Sequence, residues 1–443
     1  MTATDYGTQV AGIPQPPHSL EAARPWDLYK PRTRVVFLVL LFLVGTSSYI
    51  DKNIIGVLLE LIKAELHASD KMMGTLGGFS FALFYAVLGL PVAGWADRGD
   101  RTVVIAISML VWSLMTVLCG FTGSFWQLAA ARFGVGAGEA GALPPAQSLI
   151  ADYFPPAERA RSIGIFMLSS ALGYALALIL GGFLAQAYGW RVAFMTVGVG
   201  GFILTPLTRL VLDEPRRIAV LAVRQDHHES TGTAVRILFS KAAYRAILCS
   251  VVLYYFTSYA VTVFTVPFII RVHGLTVSQA GTAAGAIAMI GAIVGGVGGG
   301  MFADYLAARN LIWLARVSGW GIIAAIPFYE VAFLSSGIIT MLVMMSLAVT
   351  LLSMAIPAMF SALHVVCGSR RRAFSVAMTL FFANLLGVGL GPVAVGALSD
   401  GFGVAYGAST GLRCALTAMV PLLLVVGWLM LRAVKSLQLD AED

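Results

Sequence analysis

Long, uninterrupted apolar segments constrain this chain of 443 residues more than any other feature. Each segment has about 20 residues or more, the length at which an α-helix crosses the hydrocarbon core of a bilayer. A membrane β-barrel would instead alternate apolar and polar residues along its strands. Hydrophobic residues make up 58% of the sequence and charged residues 12%, about half the charge of a typical soluble domain. The pattern therefore predicts an all-α membrane protein.

Twelve membrane spans are predicted, six on each side of a long polar connection. The spans are residues 35–62, 73–96, 102–122, 125–151, 161–186, 190–211, 246–270, 278–303, 311–333, 337–365, 373–398 and 408–431. The expected organisation is a tail at 1–34, a six-helix bundle at 35–211, a linker at 212–245, a second bundle at 246–431 and a tail at 432–443. Two related halves with a site at their interface form a recurring plan among transporters.

The basic residues predict the orientation in the membrane. Of the 29 lysines and arginines, 22 fall on the side of the N-terminus, 5 on the opposite side and 2 inside spans. Lys and Arg concentrate on the cytoplasmic side of membrane proteins, so both termini are expected to be cytoplasmic. The net charge of +7 then reflects topology, and no nucleic-acid partner is expected. The polar tail and the long first apolar run do not match a secretory signal.

Four ionisable residues lie deep inside two of the spans. Asp51 and Lys52 are in the first span, and Arg132 and Glu139 are in the fourth. A charge at mid-bilayer costs about 2.5 kcal/mol or more, so such residues usually face a partner or water. The spacing places Arg132 and Glu139 on one helical face, with Asp51 between them in depth. We therefore expect an Asp51–Arg132–Glu139 network.

The two carboxylates of this network are candidates for proton coupling. Burial disfavours the charged form of a carboxylate and a nearby cation favours it, so Asp51 or Glu139 can change protonation near neutral pH. The alternative is a static ion pair that joins the first and fourth helices.

A conformational gate is predicted where the second helix of each half ends. The segment from Gly94 to Arg101 contains Asp97 and Arg98, and Asp304 occupies the corresponding place after the eighth span. We expect Asp97, Arg98, Arg101 and Asp304 to hold the cytoplasmic side closed. The alternative is an ordinary loop with anchoring charges.

The second half offers aromatic and polar side chains instead of charges. Tyr259 on the seventh span and Phe382 and Asn384 on the eleventh are the candidate contacts for the apolar part of a substrate. Lys52 and Arg132 would bind its head group. Ordinary helix packing is the alternative for the aromatic residues.

No metal site or cofactor is expected, because the four cysteines lack metal-ligand spacing. The glycines of residues 136–141 match a dinucleotide-binding pattern, but they lie within a span and follow no strand. They are expected to permit close helix packing, and Pro144 and Pro145 to kink the same helix.

Several of these motifs resemble known families. The segment from Gly94 to Arg101 resembles the loop after the second helix of major facilitator proteins. Residues 49–52 (Tyr-Ile-Asp-Lys), 132–140, 148–154 and 214–216 resemble spinster-type transporters, over residues 45–217 as a whole. The resemblance implies proton-linked movement of lysophospholipid or sphingolipid-like amphiphiles. Spinster-like proteins usually carry Arg where this chain has Lys52, which replaces a bidentate cation with a point charge.

The sequence and the resemblance together predict a major facilitator fold and a proton-coupled secondary transporter of an amphipathic, lipid-like substrate. The alternative substrates are small organic anions or drugs. The protein is expected to be monomeric, in a bacterial inner membrane, with the bilayer, the substrate and protons as partners. A membrane enzyme and a non-transporting sensor are the alternatives from other classes, although the sequence contains no recognisable nucleophile–base pair that would indicate an enzyme.

Overall fold

The computed structural model describes residues 25–215 and 231–440. Ten helices in these ranges are long and apolar enough to cross a membrane. One of them, Pro156–Val211, consists of two helices that meet at Gly189, whose φ of 85° is outside the helical region. The stretch from Phe125 to Tyr153 adds a further span in two shorter pieces. The prediction of twelve spans in two halves is confirmed.

Numbered in chain order, the twelve spans are α1 (Pro31–Leu66), α2 (70–98), α3 (Arg101–Cys119), α4 (Phe125–Glu139 and Leu143–Tyr153), α5 (156–188), α6 (190–211), α7 (Ala242–His273), α8 (Val277–Ala307), α9 (Ile312–Leu334), α10 (Ile338–Gly368), α11 (Phe374–Tyr406) and α12 (Ala408–Leu437). A short helix, Thr231–Ser240, lies within the predicted linker and precedes α7. Most of the predicted N-terminal tail and residues 216–230 lie outside the described residues.

Several helices are capped at their N-termini by short polar side chains. Ser69 accepts a hydrogen bond from the backbone of Met72 at the start of α2. Asp100 accepts from the backbone of Thr102 and Val103 at the start of α3. These side chains satisfy amides that the first helical turn leaves unpaired, which allows the chain to turn tightly between spans.

Helix α4 breaks at the position where its two prolines predict a kink. Its first piece ends at Glu139, and its second begins at Leu143 with proline in the first turn. Proline lacks the amide that would continue the helical ladder. The glycines before the break bring α4 against its neighbours: a Cβ on Gly136 would lie 2.4 Å from the carbonyl oxygen of Phe81. The expected role of these glycines in close packing is confirmed.

The two halves meet closely at one end of the molecule. Because the number of spans is even, α1 begins and α12 ends on the same side; we call this side the terminal face and the opposite side the distal face. At the distal end of α2 and α11, a Cβ on Gly74 would lie 2.2 Å from the carbonyl oxygen of Pro392. A Cβ on Gly396 would lie 2.2 Å from the carbonyl oxygen of Asp70. Backbone therefore packs against backbone across the two halves.

Toward the terminal face the halves separate. The second piece of α4, Leu143–Tyr153, packs against elements of its own half, and so does Gly299–Ala307 at the terminal end of α8. Hydrogen bonds and ion pairs join the halves at the distal face, and one further contact, between Tyr259 and Asn53, joins them near the middle of the spans. The space between the halves therefore opens toward the terminal face.

Candidate functional site

A cavity of about 420 Å³ lies between the two halves, near the middle of the spans. This size is within the usual range for a small-molecule site. The wall is formed by Tyr49, Lys52, Asn53, Tyr85, Leu143, Ser170, Ala171, Tyr174, Tyr255, Tyr259, Ala288, Ala292, Leu380 and Asn384. Five of the fourteen are tyrosines, and both halves contribute. The cavity thus combines aromatic surface with hydroxyl and amide groups.

Lys52 supplies the positive charge of this cavity. Its ammonium lies over three aromatic rings, at 4.9, 5.5 and 5.8 Å from the ring centres of Phe81, Tyr85 and Tyr259. The faces of aromatic rings attract cations. Within the described part of the chain, no carboxylate lies within ion-pair distance of this ammonium. The charge is therefore available to a ligand.

Glu139 lies beside Lys52 in a recess of about 40 Å³ that adjoins the cavity. Its side chain is placed by the break in α4, since it is the last residue before the turn. One carboxylate oxygen accepts a hydrogen bond of 3.2 Å from the hydroxyl of Ser48. The other is buried without a partner among the described residues. Glu139 is thus the carboxylate that faces the substrate space.

Asp51 points away from the cavity into the bundle of the first half. It is fully buried, and neither carboxylate oxygen has a hydrogen-bond partner in residues 25–215 and 231–440. Thr116 on α3 and Ser47, one turn earlier on α1, are its hydroxyl neighbours. The two deep carboxylates therefore occupy different environments, which the sequence did not distinguish.

Arg132 joins α4 to α1, but through the backbone. Its guanidinium donates to the carbonyl oxygens of Asp51 at 3.1 Å and of Lys52 at 3.0 Å. The three side chains of the predicted Asp51–Arg132–Glu139 network lie near one another, but no ion pair links the guanidinium to either carboxylate in the described structure. Arg132 is fully buried, so it positions α1 and is not part of the cavity wall.

The second half contributes two of its three predicted contacts to the cavity. Tyr259 and Asn384 line the wall, and the Tyr259 hydroxyl lies 3.5 Å from the side-chain oxygen of Asn53 on α1. Phe382 lies outside the wall and packs edge-on against Phe381, with ring centres 5.4 Å apart. Leu380, a little earlier on α11, takes its place, since the helical repeat turns residue 382 to another face.

Three of the four predicted gate residues, Arg98, Arg101 and Asp304, do not join the halves in this conformation. Arg98 and Asp304 are exposed, and the side chain of Asp97 lies outside the described part of the structure. Arg101 is buried and pairs within its own half, with Asp152 at 2.6 Å and Glu214 at 2.5 Å. Arg98, Arg101 and Asp304 thus form no hydrogen bond or ion pair with the opposite half among the described residues.

A cluster of charges at the distal face was missed by the sequence analysis. Arg271 on α7 bonds to Glu60 of α1 at 2.5 Å and to Asp70 of α2 at 2.6 Å. Asp70 also accepts from Lys63 and from Ser399 of α11, each at 2.6 Å. We call these five residues the distal cluster. In the sequence they lie at span ends, where charges are common, and no local pattern pairs residues 201 positions apart.

A sixth residue, Asp400, extends the distal cluster by capping a helix of the other half. Its carboxylate accepts from the backbone amides of Asp70 at 2.8 Å and Lys71 at 2.9 Å. These amides belong to the first turn of α2, which lacks internal partners. The distal closure thus combines ion pairs with a cap supplied across the two halves.

No group of three or more His, Cys, Asp or Glu side chains that could hold a metal ion occurs among the described residues.

The sequence profile of the Major Facilitator Superfamily matches residues 41–392. The chain belongs to this superfamily. The crystal structure of a bacterial homologue of the human lysosomal transporter spinster, in an inward-facing and unoccupied conformation, matches it with a TM-score of 0.84 and 28% identity. The match covers 94% of this chain and all of that one. The chain is therefore a spinster-like member of the major facilitator superfamily, as the motifs predicted.

Relatives with assigned transport roles extend the comparison. An MFS-type efflux pump of Mycolicibacterium smegmatis is 31% identical over 405 residues, which cover 90% of this chain and 92% of that protein. The benzoate transport protein of Acinetobacter baylyi is 32% identical over 184 residues, 40% of this chain and 39% of that protein. This major facilitator protein is thus a multi-pass membrane transporter.

Proposed function

We propose that this chain is a proton-coupled secondary transporter that moves a compact organic anion by alternating access. The observation that carries the proposal is the ammonium of Lys52, which faces the central cavity without a carboxylate at ion-pair distance among the described residues. A charge at mid-membrane without an ion-pair partner is costly. A substrate anion beside Lys52 would offset this cost.

Glu139 provides the coupling to protons. It shares a recess with Lys52, so its ionised form offers Lys52 a competing negative charge. Protonation of Glu139 removes that competition and leaves Lys52 to the substrate. Proton and anion therefore bind together, and the affinity for the anion rises as the pH falls.

The wall of the cavity carries polar groups that can bind a compact organic anion. Five tyrosine hydroxyls, two asparagine amides and a serine surround Lys52, beside aromatic and aliphatic surface. An organic anion with further oxygen atoms can bond to them. The name of the benzoate relative supports this choice.

A lipid-like amphiphile is the second candidate. It is supported by the resemblance of the motifs and of the whole fold to spinster-type proteins. Its head group would bind at Lys52, and its chain would extend along the wall near Tyr259 toward the open terminal face.

We further propose that the terminal face is cytoplasmic and that the protein is a monomer in a bacterial inner membrane. The distribution of basic residues, 22 on the terminal side against 5 on the distal side, supports the orientation. In this orientation the cavity opens to the cytoplasm.

A binding panel on purified protein tests the substrate class. Benzoate, sugar diacids and lysophospholipids of graded chain length are compared by the melting temperature, since a saturating ligand stabilises by mass action. We expect the anions to stabilise the protein and Lys52→Gln to abolish the effect. Lys71→Gln is the control, because Lys71 is exposed at the distal face. Stabilisation that survives Lys52→Gln would refute the proposed site.

The same panel separates the two candidates. For a lipid-like substrate, the binding free energy should become less favourable by about 0.8 kcal/mol for each methylene removed, and Tyr259→Ala should weaken the binding of long-chain ligands most. Phe382→Ala serves as the control, because Phe382 lies off the cavity wall. An affinity that does not depend on chain length rejects the lipid candidate.

The proton coupling is tested with Glu139→Gln in liposomes. The amide keeps the shape of the side chain and cannot titrate, so proton-driven uptake should be lost and anion affinity should no longer change with pH. Glu65→Gln is the control, since Glu65 pairs with Arg191 on the surface of the same half. Uptake at the unmodified rate in Glu139→Gln would exclude Glu139 as the coupling group.

A further inference from the structure

The wall of the central cavity contains two asparagines, one from each half. Asn53 follows Lys52 on α1, and Asn384 lies on α11 in the second half. A side-chain amide donates hydrogen bonds through its NH2 group and accepts them through its carbonyl oxygen. The end of the amide that faces the cavity therefore decides which substrate groups each asparagine can bind.

Both amide nitrogens are already used within their own helices. The nitrogen of Asn53 donates to the backbone carbonyl oxygen of Tyr49 at 2.7 Å, and that of Asn384 donates to the backbone carbonyl oxygen of Leu380 at 2.8 Å. Each acceptor lies four residues earlier in the same helix, a spacing at which short polar side chains reach back to the backbone. Within a membrane a donor without a partner is costly, and these bonds avoid that cost.

The same two bonds fix the orientation of each amide. If either side chain were turned over, its carbonyl oxygen would lie against the backbone carbonyl oxygen that now accepts from its nitrogen. Two acceptors cannot form a hydrogen bond, and the network of bonds therefore assigns the orientation. Asn53 and Asn384 are thus left with Oδ1, an acceptor, as the atom that they can offer to a ligand.

The two Oδ1 atoms are available to a ligand. In the part of the chain that the structure describes, Oδ1 of Asn384 has no hydrogen-bond partner and is not buried. Oδ1 of Asn53 lies 3.5 Å from the Tyr259 hydroxyl, which is longer than a usual hydrogen bond. A ligand hydroxyl at a normal distance would form a stronger bond at either atom.

The remaining polar groups of the wall complete the balance of donors and acceptors. The hydroxyl of Ser170 donates to the backbone carbonyl oxygen of Met167 at 2.7 Å, so its proton is also used within its own helix. Donors for an anionic group come from the ammonium of Lys52 and from the tyrosine hydroxyls. The cavity therefore has a cationic donor on α1 and oriented amide acceptors on both halves.

We infer that the substrate is a hydroxylated organic anion, whose hydroxyl groups donate to Oδ1 of Asn384 and Asn53 while its anionic group binds beside Lys52. A carboxylate or an ether oxygen cannot take the place of the hydroxyl, because both are acceptors. A ligand without a donor would leave these amide oxygens unpaired, which lowers its affinity. The inference rests on the proposed function and narrows its substrate class.

Matched ligands test the inference on the unmodified protein. Meta- and para-hydroxybenzoate are compared with benzoate, which lacks the hydroxyl, and with the corresponding methoxybenzoates, whose ether oxygen cannot donate. We expect at least one hydroxybenzoate to bind about tenfold more tightly than benzoate and than its own methoxy counterpart, as measured by calorimetry. Equal affinities for the hydroxylated and unhydroxylated ligands would overturn the inference.

Asn384→Leu and Asn53→Leu test the assignment of the acceptors. Leucine is close to asparagine in shape and has no acceptor, so each variant should lose most of the preference for hydroxybenzoate over benzoate. Asn310→Leu is the matched control, because Asn310 is exposed before α9, and it should keep the preference. If one of the two cavity variants does not fold, the other decides. A preference that persists unchanged in the folded variants overturns the assignment.

The outcomes separate this inference from the proposed function on which it rests. Binding of benzoate that Lys52→Gln abolishes, without any preference for the hydroxybenzoates, retains the anion site and overturns the hydroxyl assignment. A failure of every one of these anions to bind overturns both.

Discussion

Asp70→Asn should open the distal face. Asp70 is the centre of the distal cluster: it bonds to Arg271 and Lys63 and accepts from Ser399, and its side chain is 3% exposed. The amide keeps the shape of the side chain and loses its charge. Arg271 on the second half then retains Glu60 as its only acidic partner in the described structure. The ion pair between Arg271 and Asp70 of α2 is lost.

The size of the effect follows from the burial of this pair. Removing one partner of a buried, hydrogen-bonded ion pair costs about 3–5 kcal/mol. Arg271 is 8% exposed and keeps its bonds to Glu60, so the lower end of this range applies. A penalty of about 3 kcal/mol on the state that is closed at the distal face shifts its equilibrium with the open state roughly 150-fold.

Electron spin resonance can measure this shift. Spin labels at Phe121 and Val404, which are 70% and 92% exposed at the distal ends of α3 and α11, report the distance between the halves. We expect a longer distance in Asp70→Asn. Glu65→Gln is the control, because its pair with Arg191 is exposed and lies within one half, where such pairs contribute about 0–1 kcal/mol. An unchanged distance distribution in Asp70→Asn would refute this account of the closure.

Three further outcomes are expected. Gly396→Ala should also open the distal face, because the added Cβ would lie 2.2 Å from the carbonyl oxygen of Asp70. Gly401→Ala in the same helix is the control: its added Cβ would have no atom within 4 Å, so the spin-label distance should not change. Asp97→Ala should raise cysteine accessibility from the terminal face, if Asp97 holds that face closed in the opposite state, and an unchanged profile would leave it an anchoring charge. Arg101→Ala should lower the melting temperature and leave anion affinity unchanged, because Arg101 forms ion pairs with two carboxylates of its own half. A loss of anion affinity without a lower melting temperature would contradict this.

Local sequence predicted the helices and the charged centre of the protein, and for a physical reason. A span must satisfy its backbone within itself, so its length and apolar composition are visible without knowledge of its neighbours. A charge within a span is rare because it is costly, so Asp51, Lys52, Arg132 and Glu139 were recognisable as one group. The break in α4 was predictable because proline acts on the backbone next to it.

Tertiary structure decided which groups face each other. Asp51 and Lys52 are neighbours on α1, but the ammonium of Lys52 lines the cavity and the carboxylate of Asp51 is buried inside the first bundle. The reason is that successive residues of a helix point about 100° apart. The distal cluster likewise depends on the packing of α7 against α1 and α2, which joins Arg271 to residues 201 and 211 positions away. Pairing across such distances depends on how two bundles pack, and composition and spacing along the chain do not encode that directly.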